Sequence, residues 1–168
     1  TQPTNSRIAW FNGKFMPENQ VLISFRDRSW RYGDGVFDMT RTFNGVAFRL
    51  KEHIERFYRS LRYLRLDPGI SPQEMIEISE KVVSCNERLR AAAGDWWIGQ
   101  RVSRGVDPIG DEAPEHEGPN VVVECTPLPL KARARQFRDG LDVWTPAQRR
   151  IAPDMLSPRA KTHNYLNM

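Results

Sequence analysis

Lys161 and Arg56 are the side chains of this sequence whose chemistry is hardest to explain as bulk surface. Lys161 is one of five lysines in a chain with twenty arginines. Lysine is the basic residue that releases its proton and condenses with a carbonyl to an imine, so Lys161 is a candidate Schiff-base residue. On chemistry alone, an exposed lysine beside a proline-rich turn is the simpler reading. Arg56 sits between Ile54 and Phe57, so its guanidinium leaves a helix at the edge of the apolar stripe. There it could grip an anion bidentately or pair with Glu52 or Glu55. His53, His116 and His163 are not spaced as metal ligands, and His53 reads as a structural or capping histidine. The sequence contains no G-x-S-x-G elbow, Walker loop, G-x-G-x-x-G or H-E-x-x-H motif, which argues against serine-hydrolase, nucleotide-binding and zinc chemistries.

The elements that must hold these residues can be read from periodicity and turn chemistry. Asn12-Gly13, between Ile8–Phe11 and Lys14–Met16, and Asn44-Gly45, between Val36–Phe43 and Val46–Leu50, predict two hairpins, because tight hairpin turns need positive φ. From Lys51 to Leu66 the period becomes helical, with Ile54, Phe57, Tyr58, Leu61 and Leu64 on one face, and Asp67-Pro68-Gly69 stops it. Ser71, Pro72 and Glu74 form a capping-box pattern before a second helix ending near Arg90. Trp96–Ser103 and Asn120–Thr126 predict strands, separated by a long acidic loop over 105–119, and Leu141–Trp144 predicts one more. The fold class that follows is α+β: an antiparallel sheet with two helices on one face, then the start of a second, α/β domain. Residues 1–126 form the small domain, 127–137 a linker around Pro127 and Pro129, and 138–168 the beginning of the second domain.

With 39% apolar and 27% charged residues the chain has the composition of a globular domain. Its longest apolar run, around Val121-Val122-Val123, falls far short of the roughly 20 residues of a membrane span. Without a secretory pattern at the N-terminus, and with Cys85 and Cys125 too few for a disulfide framework, the expected location is cytoplasmic. The net charge of +4 is dispersed, which predicts no nucleic-acid or membrane partner but suits a small anionic ligand.

Against this background two blocks carry a family resemblance. Tyr32-Gly33-Asp34-Gly35-Val36-Phe37-Asp38, then Asn44-Gly45, then Phe48 through Arg56, resembles the first signature of the class IV (fold type IV) pyridoxal-phosphate aminotransferases. Arg149-Arg150, Pro153, Pro158 and Lys161-Thr162-His163-Asn164-Tyr165-Leu166 resembles the second. This family includes branched-chain-amino-acid, D-amino-acid and (R)-selective amine transaminases and aminodeoxychorismate lyases. The resemblance implies pyridoxal 5′-phosphate as cofactor, held by Lys161 as a Schiff base, with Arg56 on its phosphate and Tyr165 on its phenolic oxygen. It implies Tyr32, Phe37, Arg41 and Trp97 as substrate-pocket residues, some facing the partner's site in a homodimer. The partners would be an amino donor and a 2-oxo acid acceptor.

Within the family the residues favour a branched-chain-type donor, through Arg41, although Met39 stands where that group has glycine. Ile109 and Asp111 replace the arginine and histidine that grip the α-carboxylate in D-amino-acid enzymes. An (R)-selective amine or D-amino-acid transaminase and an aminodeoxychorismate lyase are the rivals of the same fold, and a non-catalytic anion-binding domain is the rival of another class. Family members continue well past the lysine, so the expectation is that this chain is an incomplete part of an enzyme and that alone it would not hold the cofactor tightly.

Overall fold

The computed structural model describes residues 6–92, 94–111 and 118–166. His116 and most of the acidic stretch in the long loop lie outside the described residues. Ten regular elements follow in chain order: β1 (Ile8–Phe11), β2 (Lys14–Pro17), α1 (Arg28–Tyr32), β3 (Gly35–Phe43), β4 (Val46–Ala47), α2 (Leu50–Leu64), α3 (Pro72–Asn86), β5 (Trp96–Ser103), β6 (Val121–Pro127) and α4 (Leu130–Asp139). The strands form one antiparallel sheet in the order β2-β1-β6-β5-β3-β4.

Both hairpins turn where expected, with φ of 44° and 92° at Asn12-Gly13 and of 51° and 81° at Asn44-Gly45, the pair of positive values a type I′ turn requires. Along β3, Val36, Asp38, Thr40 and Thr42 are buried while Phe37, Met39 and Arg41 are half-buried. The buried set faces α2 and α3, which contribute Ile54, Phe57, Leu61, Met75 and Val82 to a core shared with Trp96, Ile98, Val102 and Val123. Each large apolar side chain removed from water there contributes roughly 1.5–3 kcal/mol. The capping box forms as the sequence predicts, Glu74 N–H donating to Ser71 Oγ at 3.2 Å and Ser71 N–H to Glu74 Oε2 at 2.7 Å.

Three local expectations are corrected. Leu50, expected to close β4, opens α2 instead, because Arg49 takes a left-handed conformation (φ 48°) that turns the chain out of the strand. No strand forms over Leu141–Trp144: Leu141, Val143 and Trp144 are exposed, and among the described residues no strand pairs with them. Lastly, α1 stands where the sequence reading predicts no helix, although its signals are present: Asp27 caps it by accepting from Ser29 N–H at 2.7 Å, and Gly33 ends it at φ 69°. In the stretch read as a linker, the prolines end β6 and Leu130–Asp139 forms α4, which has no buried residue.

Candidate active site

Because β4 is only two residues long, the first half of β3 is left with a free edge, and the chain from Lys161 to His163 fills it. Thr162 bridges to Val36, Phe37 N–H donates to the Lys161 carbonyl at 3.1 Å, and His163 N–H donates to the Gly35 carbonyl at 2.9 Å. Two glycines make this approach possible. A Cβ on Gly33 would lie 2.2 Å from Asn164 Oδ1, and one on Gly35 would lie 2.6 Å from His163 Nδ1 and 2.8 Å from the Val102 carbonyl oxygen. Backbone cannot yield to such a contact as a flexible side chain would. The Gly35→Ala variant is therefore expected to force the 161–165 segment off the sheet, at a cost of roughly 1–3 kcal/mol. A lowered thermal midpoint together with a fall in bound cofactor per chain of the full-length protein would record it. A wild-type midpoint would show that the segment does not need this contact.

On its other side Lys161 is tied to α2. Its N–H donates to Ser60 Oγ at 3.1 Å, and Ser60 Oγ donates to the Arg56 carbonyl at 3.2 Å, one helical turn back. Arg56 and Lys161 are thus fixed to one another through Ser60. The Lys161 ammonium donates to Tyr165 Oη at 2.6 Å and lies 4.1 Å from the centre of the Phe37 ring. Tyr165 packs edge-on against the same ring, with centroids 5.2 Å apart.

Arg56 does not pair with Glu52 or Glu55. Its Nε and Nη2 each reach Asp38 at 2.7 Å, and His53 Nδ1 lies 2.8 Å from the same carboxylate. Asp38 has no exposed surface, whereas the Arg56 side chain is 45% exposed. Burial by itself would raise the Asp38 carboxyl, but the hydrogen bonds from His53 and Arg56, with their charge, hold it below the usual carboxylate range. The same carboxylate raises Arg56, and the Tyr165 oxygen lies near enough to act on that guanidinium electrostatically. A fully buried acid thus fixes a half-exposed guanidinium on the helix that also holds Lys161 through Ser60. A fixed guanidinium, a primary amine and a phenol together suit a ligand carrying an aldehyde, a phosphate dianion and an aromatic hydroxyl.

Phe37 and Tyr165 also line a cavity of about 680 Å³ whose wall includes Phe25, Trp30, Arg101 and His163. The His163 ring is neutral, its pKa pushed down to about 4 by burial and by the Arg101 charge. Its Nδ1 meets Ser29 Oγ, and its Nε2 is buried without a partner among the described residues.

Of the residues singled out from sequence, Lys161, Arg56, Tyr165 and Phe37 are brought together. Tyr32 lies outside the cavity, beneath the guanidinium groups of Arg28 and Arg31, in a neighbouring depression it shares with Ile109. Arg41 is at the far end of β3, paired with Asp95 at 3.1 Å, and Trp97, opposite it on β5, packs under Arg133. Sequence reasoning missed Asp38, Ser60 and Arg101 as members of the site. Asp38 carried a signal: an acid alternating with Val36 and Thr40 on the buried face of a strand needs a cation.

Residues 35–168 match the family model described as Amino-transferase class IV. A putative branched-chain-amino-acid aminotransferase of Methanocaldococcus jannaschii is 35% identical over 158 residues, covering 94% of this chain and 52% of the relative. A D-alanine aminotransferase of Staphylococcus aureus is 38% identical over 78 residues, 46% of this chain and 28% of the relative. An aminodeoxychorismate lyase of Bacillus subtilis is 30% identical over 160 residues, covering 95% and 52%. Among solved structures, the T.th. branched-chain amino acid aminotransferase complexed with N-(5′-phosphopyridoxyl)-L-glutamate matches with a TM-score of 0.79 and 26% identity over 97% of this chain and 52% of that one. The chain spans about half the length of the curated relatives that it matches along most of its own length.

Proposed function

We propose, since this chain belongs to the class IV aminotransferases, that the full-length protein moves an amino group from an amino acid or amine, branched-chain-type donors favoured, to a 2-oxo acid. The observation that carries this reading is that Lys161, bonded through Nζ to Tyr165 Oη, is tied through Ser60 to the Asp38-anchored Arg56. Pyridoxal 5′-phosphate, the cofactor of the family, supplies an electron sink for the pair left when a proton departs the substrate α-carbon. Lys161 would hold it covalently and, once displaced by the incoming amine, carry the proton away from and back to carbon. Arg56 would bind the phosphate, with Asp38 fixing its fork and leaving the remaining N–H groups outward. Tyr165 would hydrogen-bond the ring oxygen and hold Lys161 Nζ between turnovers. Phe37 would pack against the substrate side of the site. Tyr32, Arg41 and Trp97, away from the cavity that Phe37 lines, would serve the pocket of a second copy in a homodimer.

The two-stage route gives the test. With the full-length protein, an amino donor alone is expected to bleach the cofactor's visible absorbance in a single turnover, and a 2-oxo acid to restore it. The similarity to an aminodeoxychorismate lyase makes acceptor-free release of pyruvate the alternative outcome, and that result would replace the transfer reading with a lyase of the same family.

A further inference from the structure

Ser60 is the polar member of a buried apolar stripe. On α2 it stands with Leu50, Ile54, Phe57 and Leu61 and is 1% exposed. A serine inside a helix commonly bonds its hydroxyl to the carbonyl four residues back, an arrangement that by itself adds no stability and often bends the helix. Ser60 makes that bond, donating to the Arg56 carbonyl at 3.2 Å. Its oxygen also accepts from the Lys161 N–H at 3.1 Å. With its proton committed to Arg56, the hydroxyl can act towards Lys161 only as an acceptor.

The sheet shows what this bond replaces. Thr162 bridges to Val36, with Phe37 N–H donating to the Lys161 carbonyl and His163 N–H to the Gly35 carbonyl. In a regular antiparallel ladder Phe37 and Lys161 would exchange both bonds, and the Lys161 N–H would return to the Phe37 carbonyl. It goes to Ser60 instead, so the pairing stops at Lys161, whose backbone is shared between β3 and α2. Ala160 and Thr162, each 2% exposed, are buried on either side of it. Alternation sends the lysine side chain to the opposite face, where Nζ lies 4.1 Å from the centre of the Phe37 ring. One residue is thus held from two elements, its carbonyl by β3 and its N–H by α2.

We infer that Ser60 is a positioning residue for the reaction at Lys161: by drawing the Lys161 N–H out of the ladder it fixes the lysine backbone to the helical turn that carries Arg56, and the rate at which Lys161 acts depends on it. The inference rests on the transamination proposed at Lys161 and adds a residue on which that reaction depends. Ser60 bonds to main chain alone, at Arg56 and Lys161, so its effect falls on placement of the lysine and not on affinity for the donor. Reacting groups must sit within about 0.5 Å of the productive geometry, and a misplacement of about 1 Å costs on the order of 10²-fold. A matched comparison stands on α3. Ser79 is also fully buried and also donates to the carbonyl four residues back, that of Met75 at 2.7 Å, but it accepts from Gln100 Nε2 at 3.0 Å, within the core.

The test compares the full-length wild type with Ser60→Ala, Ser60→Cys and Ser79→Ala. Amide hydrogen exchange, resolved to single residues by mass spectrometry, is read first and needs no turnover. In Ser60→Ala the Lys161 amide is expected to exchange roughly fivefold faster or more, in keeping with one lost hydrogen bond, while the Phe37 and His163 amides keep their protection. Single turnovers with an amino donor, followed by cofactor absorbance, are expected to slow roughly tenfold or more, with the half-saturating donor concentration unchanged. Ser60→Cys keeps the size of the side chain but offers a poor acceptor, and it is expected to follow Ser60→Ala in both readouts. Ser79→Ala is expected to lower the thermal midpoint and to leave both readouts at wild type. Unchanged exchange at Lys161 or an unchanged single-turnover rate in Ser60→Ala would overturn the inference. Wild-type behaviour in Ser60→Cys would also overturn it, because volume and not the acceptor would then matter, as would an equal slowing in Ser79→Ala, which would trace the effect to general stability. Failure of the parent reading looks different: no donor changes the absorbance of the wild type, while exchange at Lys161 still depends on Ser60.

Discussion

Replacing Lys161 with alanine is expected to abolish amino-group transfer by the full-length protein while leaving its fold in place. The fold survives because the segment is held by main-chain bonds that alanine retains: Phe37 N–H to the carbonyl of residue 161, and the N–H of residue 161 to Ser60 Oγ. What the substitution removes is the side chain beyond Cβ, with the bond of Nζ to Tyr165 and its contact with the Phe37 ring. Surface-type changes of that kind alter stability by about 0.5 kcal/mol or less. Loss of a positioned acid–base group costs on the order of 10²–10⁴-fold in rate, and loss of the covalent attachment adds to it. Lys161→Arg separates charge from chemistry, since arginine retains the positive charge but not an amine that condenses with a carbonyl. Both variants should be inactive in single-turnover assays with a donor, with unfolding midpoints close to wild type. The cofactor would then be held by Arg56 and Tyr165 without a covalent link, released by dialysis far faster than from the wild type. An unchanged turnover in Lys161→Ala would take this lysine out of the chemistry and remove the basis of the proposed function, whereas a wild type that turns over no donor would favour a binding domain over an enzyme.

The parts of this fold that are legible in the sequence are those that local physics decides. Asn-Gly turns and the capping box depend on residues within four positions of each other, and the helical stripe of α2 repeats within one element. The hidden parts depend on register between distant elements. Arg56 has two acids close by on its own helix, and local reasoning pairs it with those. The actual partner, Asp38, is reached only because β3 lies under α2 with its even-numbered side chains turned inwards. Arg101 likewise becomes a cavity residue only once β5 sets it opposite Phe37 and β6 supplies Glu124. Alternation puts Phe37, Arg41 and Trp97 on one face of the sheet, but it says nothing about position along the strands. The cavity lies at the Phe37 end, and the other two stand at the opposite end. Leu141–Trp144 shows the converse error, an alternating apolar pattern with no described strand to pair with.

Asp38 is where fold and site share one group, and its removal should show in both. In Asp38→Asn the carboxylate that accepts from His53 and twice from Arg56 becomes an amide, whose NH₂ faces donors. Breaking a buried pair from one side costs about 3–5 kcal/mol when the remaining charge is also buried. Here Arg56 is 45% exposed and water takes up part of its charge, so about 2–4 kcal/mol is expected, read as a lowered urea midpoint at pH 7. The pH dependence follows from the direction of the shift. The folded carboxyl lies below its unfolded value of about 3.9, so its contribution is complete above that value and is lost as pH falls through the folded one. The stability gap between wild type and Asp38→Asn should therefore be constant from pH 7 to about 5 and close in strong acid. An unanchored Arg56 would also bind phosphate less well, so the variant should need at least roughly tenfold more pyridoxal 5′-phosphate for half-saturation, with inorganic phosphate weakened as a competitor in proportion. A variant with wild-type stability and wild-type cofactor affinity would mean that Arg56 needs no buried acid to aim it, and the route from the core of this sheet to the cofactor phosphate would be broken at its first link.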